Sequence, residues 1–325
     1  MGLSFFIETW GCQMNDHDSE KLAGLLQLEG YVPARSREEA DVVLLNTCSI
    51  REKAVHKVWS ELGRLKELKE QRPVVIGVTG CLAHQEREAI FRRAPHVDVV
   101  LGTQALRQLP RLVAEARAGK ARVIDTEAYP DNHLFPPEVA RRSSGAKALV
   151  TIMEGCNHAC TYCVVPYTRG VERSRPVADI LHEVRLLVDQ GFREVELLGQ
   201  NVNSYAGGCS FAELLTRVAA VEGLEWIRFT TSHPMNFTRE LAEVLISEPK
   251  VAPFLHLPIQ SGSDAVLRRM RREYTVAQYV ERIGYLGAGR SRIHLSTDFI
   301  VGFPGETDAD FEATMAILDR VGFEA

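Results

Sequence analysis

Short runs of apolar, mostly β-branched residues alternate with helical stretches along almost the whole chain, a rhythm that points to parallel strands joined by crossover helices. In the first part of the chain strands are expected at Ser4–Thr9, Asp41–Asn46, Val74–Thr79 and Val97–Leu101. Helices are expected near Ser19–Glu29, Glu52–Gln71, Gln85–Arg93 and Ala105–Ala118. From Asp125 to Lys147 the sequence turns polar and proline-bearing, the composition of a linker wrapped on the surface. Five more strands are then expected, at Ala148–Met153, Glu194–Leu198, Trp226–Thr230, Phe254–Leu257 and His294–Val301. The fold class is therefore α/β: an open parallel-sheet domain over residues 1–122, a linker over 123–147 and a second α/β domain over 148–325. A helix over Ala309–Asp319 calls for a sixth strand near Gly322, so the second series reads as truncated.

At 325 residues and 45% hydrophobic content the chain can bury two cores. The N-terminus lacks the basic and apolar regions of a signal peptide, and no window approaches the roughly 20 apolar residues of a membrane span, so a cytoplasmic location is expected. A net charge of −5 provides no global attraction to nucleic acid, which leaves local arginine clusters to make any such contact. Seven cysteines, an odd count in a reducing compartment, argue for metal ligation or catalysis over disulfides.

Three of them are tightly spaced. Glu154-Gly-Cys-Asn-His-Ala-Cys-Thr-Tyr-Cys places Cys156, Cys160 and Cys163 at Cys-x3-Cys-x2-Cys directly after an expected strand. One loop with that spacing can wrap a cuboidal [4Fe-4S] cluster, holding three irons and leaving the fourth open to a small ligand. The alternatives are a zinc site on Cys160 and Cys163 with Cys156 or His158, or simply buried thiols; zinc normally asks for a fourth ligand at regular spacing. Three other cysteines, Cys12, Cys48 and Cys81, each sit just beyond an expected strand. Strand carboxyl ends share one edge of an open parallel sheet, so these three can converge on a second site; the alternative is that each packs its own turn. Cys209 has no partner at ligand spacing and reads as a loop thiol.

The tight motif, with Tyr162 as the aromatic before its third cysteine, resembles the radical S-adenosylmethionine superfamily. Paired with a second three-cysteine set ahead of it, it resembles the methylthiotransferases over essentially the whole chain. Thr9 to Lys21, Cys163 to Pro176 and Arg228 to Pro234 look like the MiaB-type branch, which acts on tRNA. Two related branches fit less well, one acting on a ribosomal protein and the other on threonylcarbamoyladenosine.

The resemblance implies a Rossmann-like first domain and a (βα)6-type partial barrel that normally continues into an RNA-binding β-barrel domain, which this sequence lacks. It implies two [4Fe-4S] clusters, one on each cysteine set, and two molecules of S-adenosylmethionine. One molecule would methylate a sulfur at the Cys12, Cys48 and Cys81 cluster. The other would be cleaved reductively at the Cys156, Cys160 and Cys163 cluster, generating the radical that activates carbon 2 of N6-isopentenyladenosine beside the anticodon. It also implies a tRNA substrate and a flavodoxin or ferredoxin type electron donor; the sequence leaves the sulfur donor open, and a monomer is expected. The competing readings are the same reaction on a protein side chain or on threonylcarbamoyladenosine, an inactive fragment that only binds clusters, and a non-catalytic electron-transfer protein.

Polar residues just past the barrel strands are the candidates for contact with the cofactor: Gln200 and Asn201, Ser232, Gln260 with Ser261, and Asp298, joined by Tyr162; Ile300 to Glu306 resembles the family's glycine-containing segment that borders the adenine. Each could equally cap a helix. His233 and His256 read as structural. Arg169, Arg173 and Arg175, beside the cysteine loop, are the candidates for phosphate contact, with Arg268, Arg269, Arg271 and Arg272 as a second basic run.

Overall fold

The computed structural model describes residues 2–129, 135–136, 139–140, 145–230 and 232–324, so part of the linker, including its Arg141–Arg142 pair, lies outside the described residues. The chain divides into two units, Met1–Ser144 with Tyr167–Gly170, and Gly145–Pro166 with Val171–Ala325.

The first unit is a six-stranded sheet of β1 (Ser4–Trp10), β2 (Val32–Pro33), β3 (Val42–Thr47), β4 (Val75–Gly80), β5 (Val99–Leu101) and β6 (Val123–Asp125). All neighbours pair in parallel, in the order β2-β1-β3-β4-β5-β6. Side chains of β3 alternate between two cores. Val42 and Leu44 join one with Leu22 and Leu26 of α1 (Gln13–Leu28); Val43 and Leu45 join the other with Val58, Leu62 and Leu65 of α2 (Glu52–Gln71). Burial on both faces is why the strand is apolar throughout rather than alternating. Helices α3 (Cys81–Glu86) and α4 (Ala89–Arg93) lie on the α2 side, and α5 (Leu109–Arg117) on the α1 side. The strand order reverses between β1 and β3, whose following helices leave to opposite faces; such a switch point opens a crevice at the strand carboxyl ends.

Sequence and structure differ in instructive places. The helix expected from Ser19 begins at Gln13, because Cys12 adopts an extended cap conformation and its N–H donates to Asn15 Oδ1 at 3.3 Å. The helix expected over Gln85–Arg93 starts at Cys81 and breaks at Arg87, whose φ is 47°. Strands β2 and β6 are too short to leave a periodic signal. Because β6 pairs with β5, the sheet runs past the linker start expected at residue 123. Phe135, in the stretch expected to lie on the surface, is buried in the α1-side core beneath Lys21 and Arg107.

The second unit builds five successive parallel strands, β7 (Lys147–Thr151), β10 (Glu194–Leu198), β11 (Trp226–Phe229), β12 (Phe254–His256) and β13 (His294–Ser296). The first three pair in the order β7-β10-β11. Parallel bonds of Ile227 with the Lys250–Ala252 stretch carry the series on to β12 and β13. Two short strands, β8 (Met153–Glu154) and β9 (Arg173–Ser174), pair antiparallel across the base of the cysteine loop. The short helix α6 (Val165–Thr168) follows the loop, and α7 (Val177–Asp189), α8 (Phe211–Ala219), α9 (Arg239–Ser247), α10 (Asp264–Arg269), α11 (Val276–Gly284) and α12 (Asp308–Val321) complete the unit. Hydroxyls start several of them: Ser210, Thr238, Ser263, Thr275 and Thr307 each accept a first-turn backbone N–H. The strand expected over His294–Val301 stops at Ser296. There Thr297 uses its hydroxyl, accepting from the Ile259 N–H and donating to Leu257 O, where a backbone ladder would continue.

Candidate active site and metal centres

In the second unit, the loop after β8 carries Cys156, Cys160 and Cys163. Gly155, at φ 79°, turns the chain out of the strand, and its N–H donates to Gln200 Oε1 at 2.5 Å. A Cys163 N–H to Cys160 O turn closes the loop at 3.0 Å, and Thr161 is pinned by its N–H to Met270 O and its hydroxyl to Arg269 O. Burial pushes the Cys156 and Cys163 thiols up, and the charge of neighbouring cysteines of the triad adds to the rise. Among the described residues no three His, Cys, Asp or Glu side chains gather tightly enough to share a single ion. Thiolates on different irons of a cubane stand further apart than the ligands of one ion.

Two observations test whether an anionic cluster and a polar cofactor fit here. Arg272 is buried, with 6% of its surface exposed, and donates from Nη1 to Cys160 Sγ at 3.4 Å. A guanidinium in that position is matched to a negatively charged group on the cysteines. Beyond the ends of β10 and β11, Asn201 Oδ1, Ser232 Oγ and His233 Nε2 are buried without a hydrogen-bond partner among the described residues. Buried polar atoms are seldom left unmatched, and three at one strand edge suit a polar ligand. His233 is held by Asn203, which bonds both its backbone N–H and its carbonyl. Its Nδ1 accepts from the Met235 N–H, which assigns the proton to Nε2. The ring stacks on His158 of the cysteine loop at 3.9 Å, and burial depresses its pKa to about 2, so it is neutral at physiological pH.

The remaining cofactor candidates separate. Tyr162 is partly exposed beside Cys160, Cys163 and Arg272, and its hydroxyl is raised by burial. Gln200 is spent on holding Gly155. Gln260 sits at φ 76° and bridges to Phe299, beside the Ile300 to Glu306 stretch. Ser261 is a correction: fully buried, its hydroxyl meets Thr314 and the Ser263 N–H, so it packs α10 against α12. Asp298 is exposed and pairs with His256, which also meets Ser296, a structural role for that histidine.

The arginines are the larger correction. Arg169 is buried against Asp18 at 2.7 Å within the first unit, and Arg175 against Glu183 at 2.7 Å within the second, where it also donates to Thr151 O. Neither is placed to hold phosphate. Arg173, in β9, is half-buried. In the second run Arg268, Arg269 and Arg271 are exposed, whereas Arg272 turns inward. Cys209 packs beside the second core, as a loop thiol would.

In the first unit, Trp10 pairs with Thr47 and Thr47 with Gly80, so β1, β3 and β4 end in register. Cys12, Cys48 and Cys81 follow those ends, two of them flanking the switch point. Two asparagines absent from the sequence-based candidates tie the turns together. Asn15 Oδ1 accepts from Cys12 N and Sγ, while its Nδ2 donates to Asn46 Oδ1. Asn46 in turn donates to Asn15 O and Ser19 Oγ. Both are fully buried. The only cue in the sequence was an asparagine three residues after Cys12 and another two before Cys48. Gly80 has φ 90°, and a Cβ there would stand 2.5 Å from both Asn46 Oδ1 and Thr47 O, so glycine alone lets Cys81 come close to Cys48. Burial pushes the Cys81 thiol up, opposed by the Arg169 guanidinium and reinforced by the charges of Cys48 and Asp18.

Residues 4–102 match the Uncharacterized protein family UPF0004, and residues 150–318 match the Radical SAM superfamily. The chain is 52% identical to the tRNA-2-methylthio-N(6)-dimethylallyladenosine synthase of Aeromonas salmonicida (strain A449), over 100% of this chain and 69% of that protein. It is 53% identical to the enzyme of the same name from Histophilus somni (strain 129Pt), over 98% of this chain and 69% of that one. Among solved structures, the radical S-adenosylmethionine methyltransferase TsrM from Kitasatospora setae, with cobalamin and a [4Fe-4S] cluster bound, aligns at a TM-score of 0.73. It is 15% identical over 99% of this chain and 74% of that one, a likeness of fold.

Proposed function

Because the chain belongs to the tRNA-2-methylthio-N(6)-dimethylallyladenosine synthase family of the radical SAM superfamily, we propose that it methylthiolates carbon 2 of N6-isopentenyladenosine in tRNA. The observation that carries this reading is the presence of two separately built cysteine triads. One lies on the loop after β8, the other at the carboxyl ends of three neighbouring strands of a doubly covered sheet, two of its cysteines flanking the switch point.

In this reading Cys156, Cys160 and Cys163 hold one [4Fe-4S] cluster and Cys12, Cys48 and Cys81 the other. When bound, the first supplies the electron that cleaves S-adenosylmethionine and the second supplies the place where sulfur is methylated and passed on. The protein's own part is to bind and orient. Asn201, Ser232 and the Nε2–H of His233 offer one acceptor, one hydroxyl and one donor to the cofactor's polar groups, and Tyr162 stands within the loop beside Cys163. Burial keeps His233 neutral, so its part is to donate a hydrogen bond from Nε2. Phosphate contact falls to Arg173 and to exposed Arg268 and Arg271. The electron comes from a flavodoxin or ferredoxin type donor, and the enzyme works as a monomer.

Anaerobically reconstituted protein with reductant and S-adenosylmethionine should place a methylthio group on tRNA bearing N6-isopentenyladenosine. It should release 5′-deoxyadenosine and leave ribosomal protein and threonylcarbamoyladenosine-bearing tRNA unmodified. Iron analysis should give about eight irons per chain, falling to about four when Cys156, Cys160 and Cys163 are replaced by alanine. Sulfur appearing on protein alone would overturn the substrate, and stoichiometric zinc without iron would overturn both clusters.

A further inference from the structure

Three arginines are buried among the described residues: Arg169, Arg175 and Arg272. The first two face buried carboxylates, Asp18 and Glu183, each at 2.7 Å. Among the described residues Arg272 has no carboxylate partner. Its three donor positions go to Cys160 Sγ at 3.4 Å, Pro258 O at 3.2 Å and Tyr274 Oη at 3.0 Å, so only the cysteine can bring negative charge. Tyr274 is itself fixed, donating to Ile259 O at 2.8 Å.

Taking a guanidinium out of water without an opposite charge costs several kcal/mol, so a fold that does this consistently has an anion to set against it. The backbone shows how deliberately the side chain is turned in. Arg271 and Glu273, on either side, have φ of 56° and 59°, a left-handed conformation that is uncommon outside glycine and that inserts Arg272 between two exposed neighbours. The same segment holds the cysteine loop through Met270 O and Arg269 O.

We propose that Arg272 is a positioning residue that balances the negative charge of the group bound at Cys160 and raises its reduction potential. The proposal rests on the reading that this triad holds an iron–sulfur cluster. Reduction adds one negative charge to such a cluster, so a fixed cation that also donates to a ligand sulfur stabilises the reduced form more than the oxidised one. The charge acts without any change in protonation.

The test is made on the full chain with Cys12, Cys48 and Cys81 replaced by alanine, so that one cluster reports. Midpoint potential is measured by redox titration followed by electron paramagnetic resonance, with iron content in parallel. Arg272→Lys keeps a charge but loses the planar donor set, and Arg272→Gln loses the charge. The expected order of midpoints is the Arg272 parent highest, Arg272→Lys lower and Arg272→Gln lowest, with about four irons per chain retained. Arg272→Gln that keeps its iron and the parental midpoint overturns the proposal. Should Arg272→Gln fail to hold iron, Arg272→Lys decides, and an unshifted or raised midpoint there overturns it. A parent that binds no iron overturns the cluster reading itself, and the proposal with it.

Discussion

Cys156, Cys160 and Cys163 lie within one loop, whereas Cys12, Cys48 and Cys81 come from three turns brought side by side by neighbouring strands. The loop triad needs only its own backbone and a few pins, Gln200 on Gly155 and the Arg269–Met270 carbonyls on Thr161. The strand-end triad needs the register of three strands, the Asn15–Asn46 network and a glycine that no side chain can replace. Each also has a buried arginine against one thiol, and these differ in charge balance: Arg169 beside Cys81 is answered by Asp18, while Arg272 beside Cys160 meets no carboxylate among the described residues. A site assembled from distant segments thus depends on the stability of its whole unit, and a site on one loop depends on what holds the loop.

The largest effect that bears on this contrast belongs to Arg169. Replacing it with alanine leaves buried Asp18 to Lys21, which stands at 3.9 Å, and denaturant unfolding should show a loss of up to about 3–5 kcal/mol. Adding Asp18→Asn should recover part of it, a coupling that identifies the ion pair as the cause. A cost near zero would return Arg169 to the solvated surface and remove the charge-balance distinction.

Gly80→Ala comes next. The backbone conformation and the approach to Asn46 predict a loss of about 1–3 kcal/mol. The sharper measurement is iron per chain, which should fall by about four with the loop triad still loaded. Loss of both complements would show that the two sites do not depend on separate supports.

The smallest effect is expected from Gln200→Ala, which leaves the buried Gly155 N–H without its acceptor. A stability cost of about 1–2 kcal/mol is expected, with weaker iron retention at the loop triad alone. Unchanged iron retention would mean that the Thr161 contacts suffice to hold the loop.

Much of this could be read from residues close together in the chain. Glu194–Leu198 and Glu52–Gln71 were expected at their observed bounds, because an apolar run or a helical stripe is a local property. The cysteines at strand ends were visible for the same reason. The arginines were not: Arg169 and Arg175 beside a reactive loop, and Arg272 in a separate basic run, all look like phosphate contacts, and nothing nearby marks them as buried. The network of Asn15 and Asn46 was equally silent, since its members are 31 residues apart and each resembles an ordinary turn asparagine.

By itself, then, the sequence determined the parallel α/β architecture, the loop triad and the strand-end positions of the other three cysteines, all of which follow from spacing and periodicity along a short stretch of chain. Only the tertiary structure decided which arginine faces which charge. Arg272 meets Cys160 across 112 residues, and whether a charged side chain is solvated, neutralised or left to await an anion depends on burial and on partners that the chain brings together only when it folds.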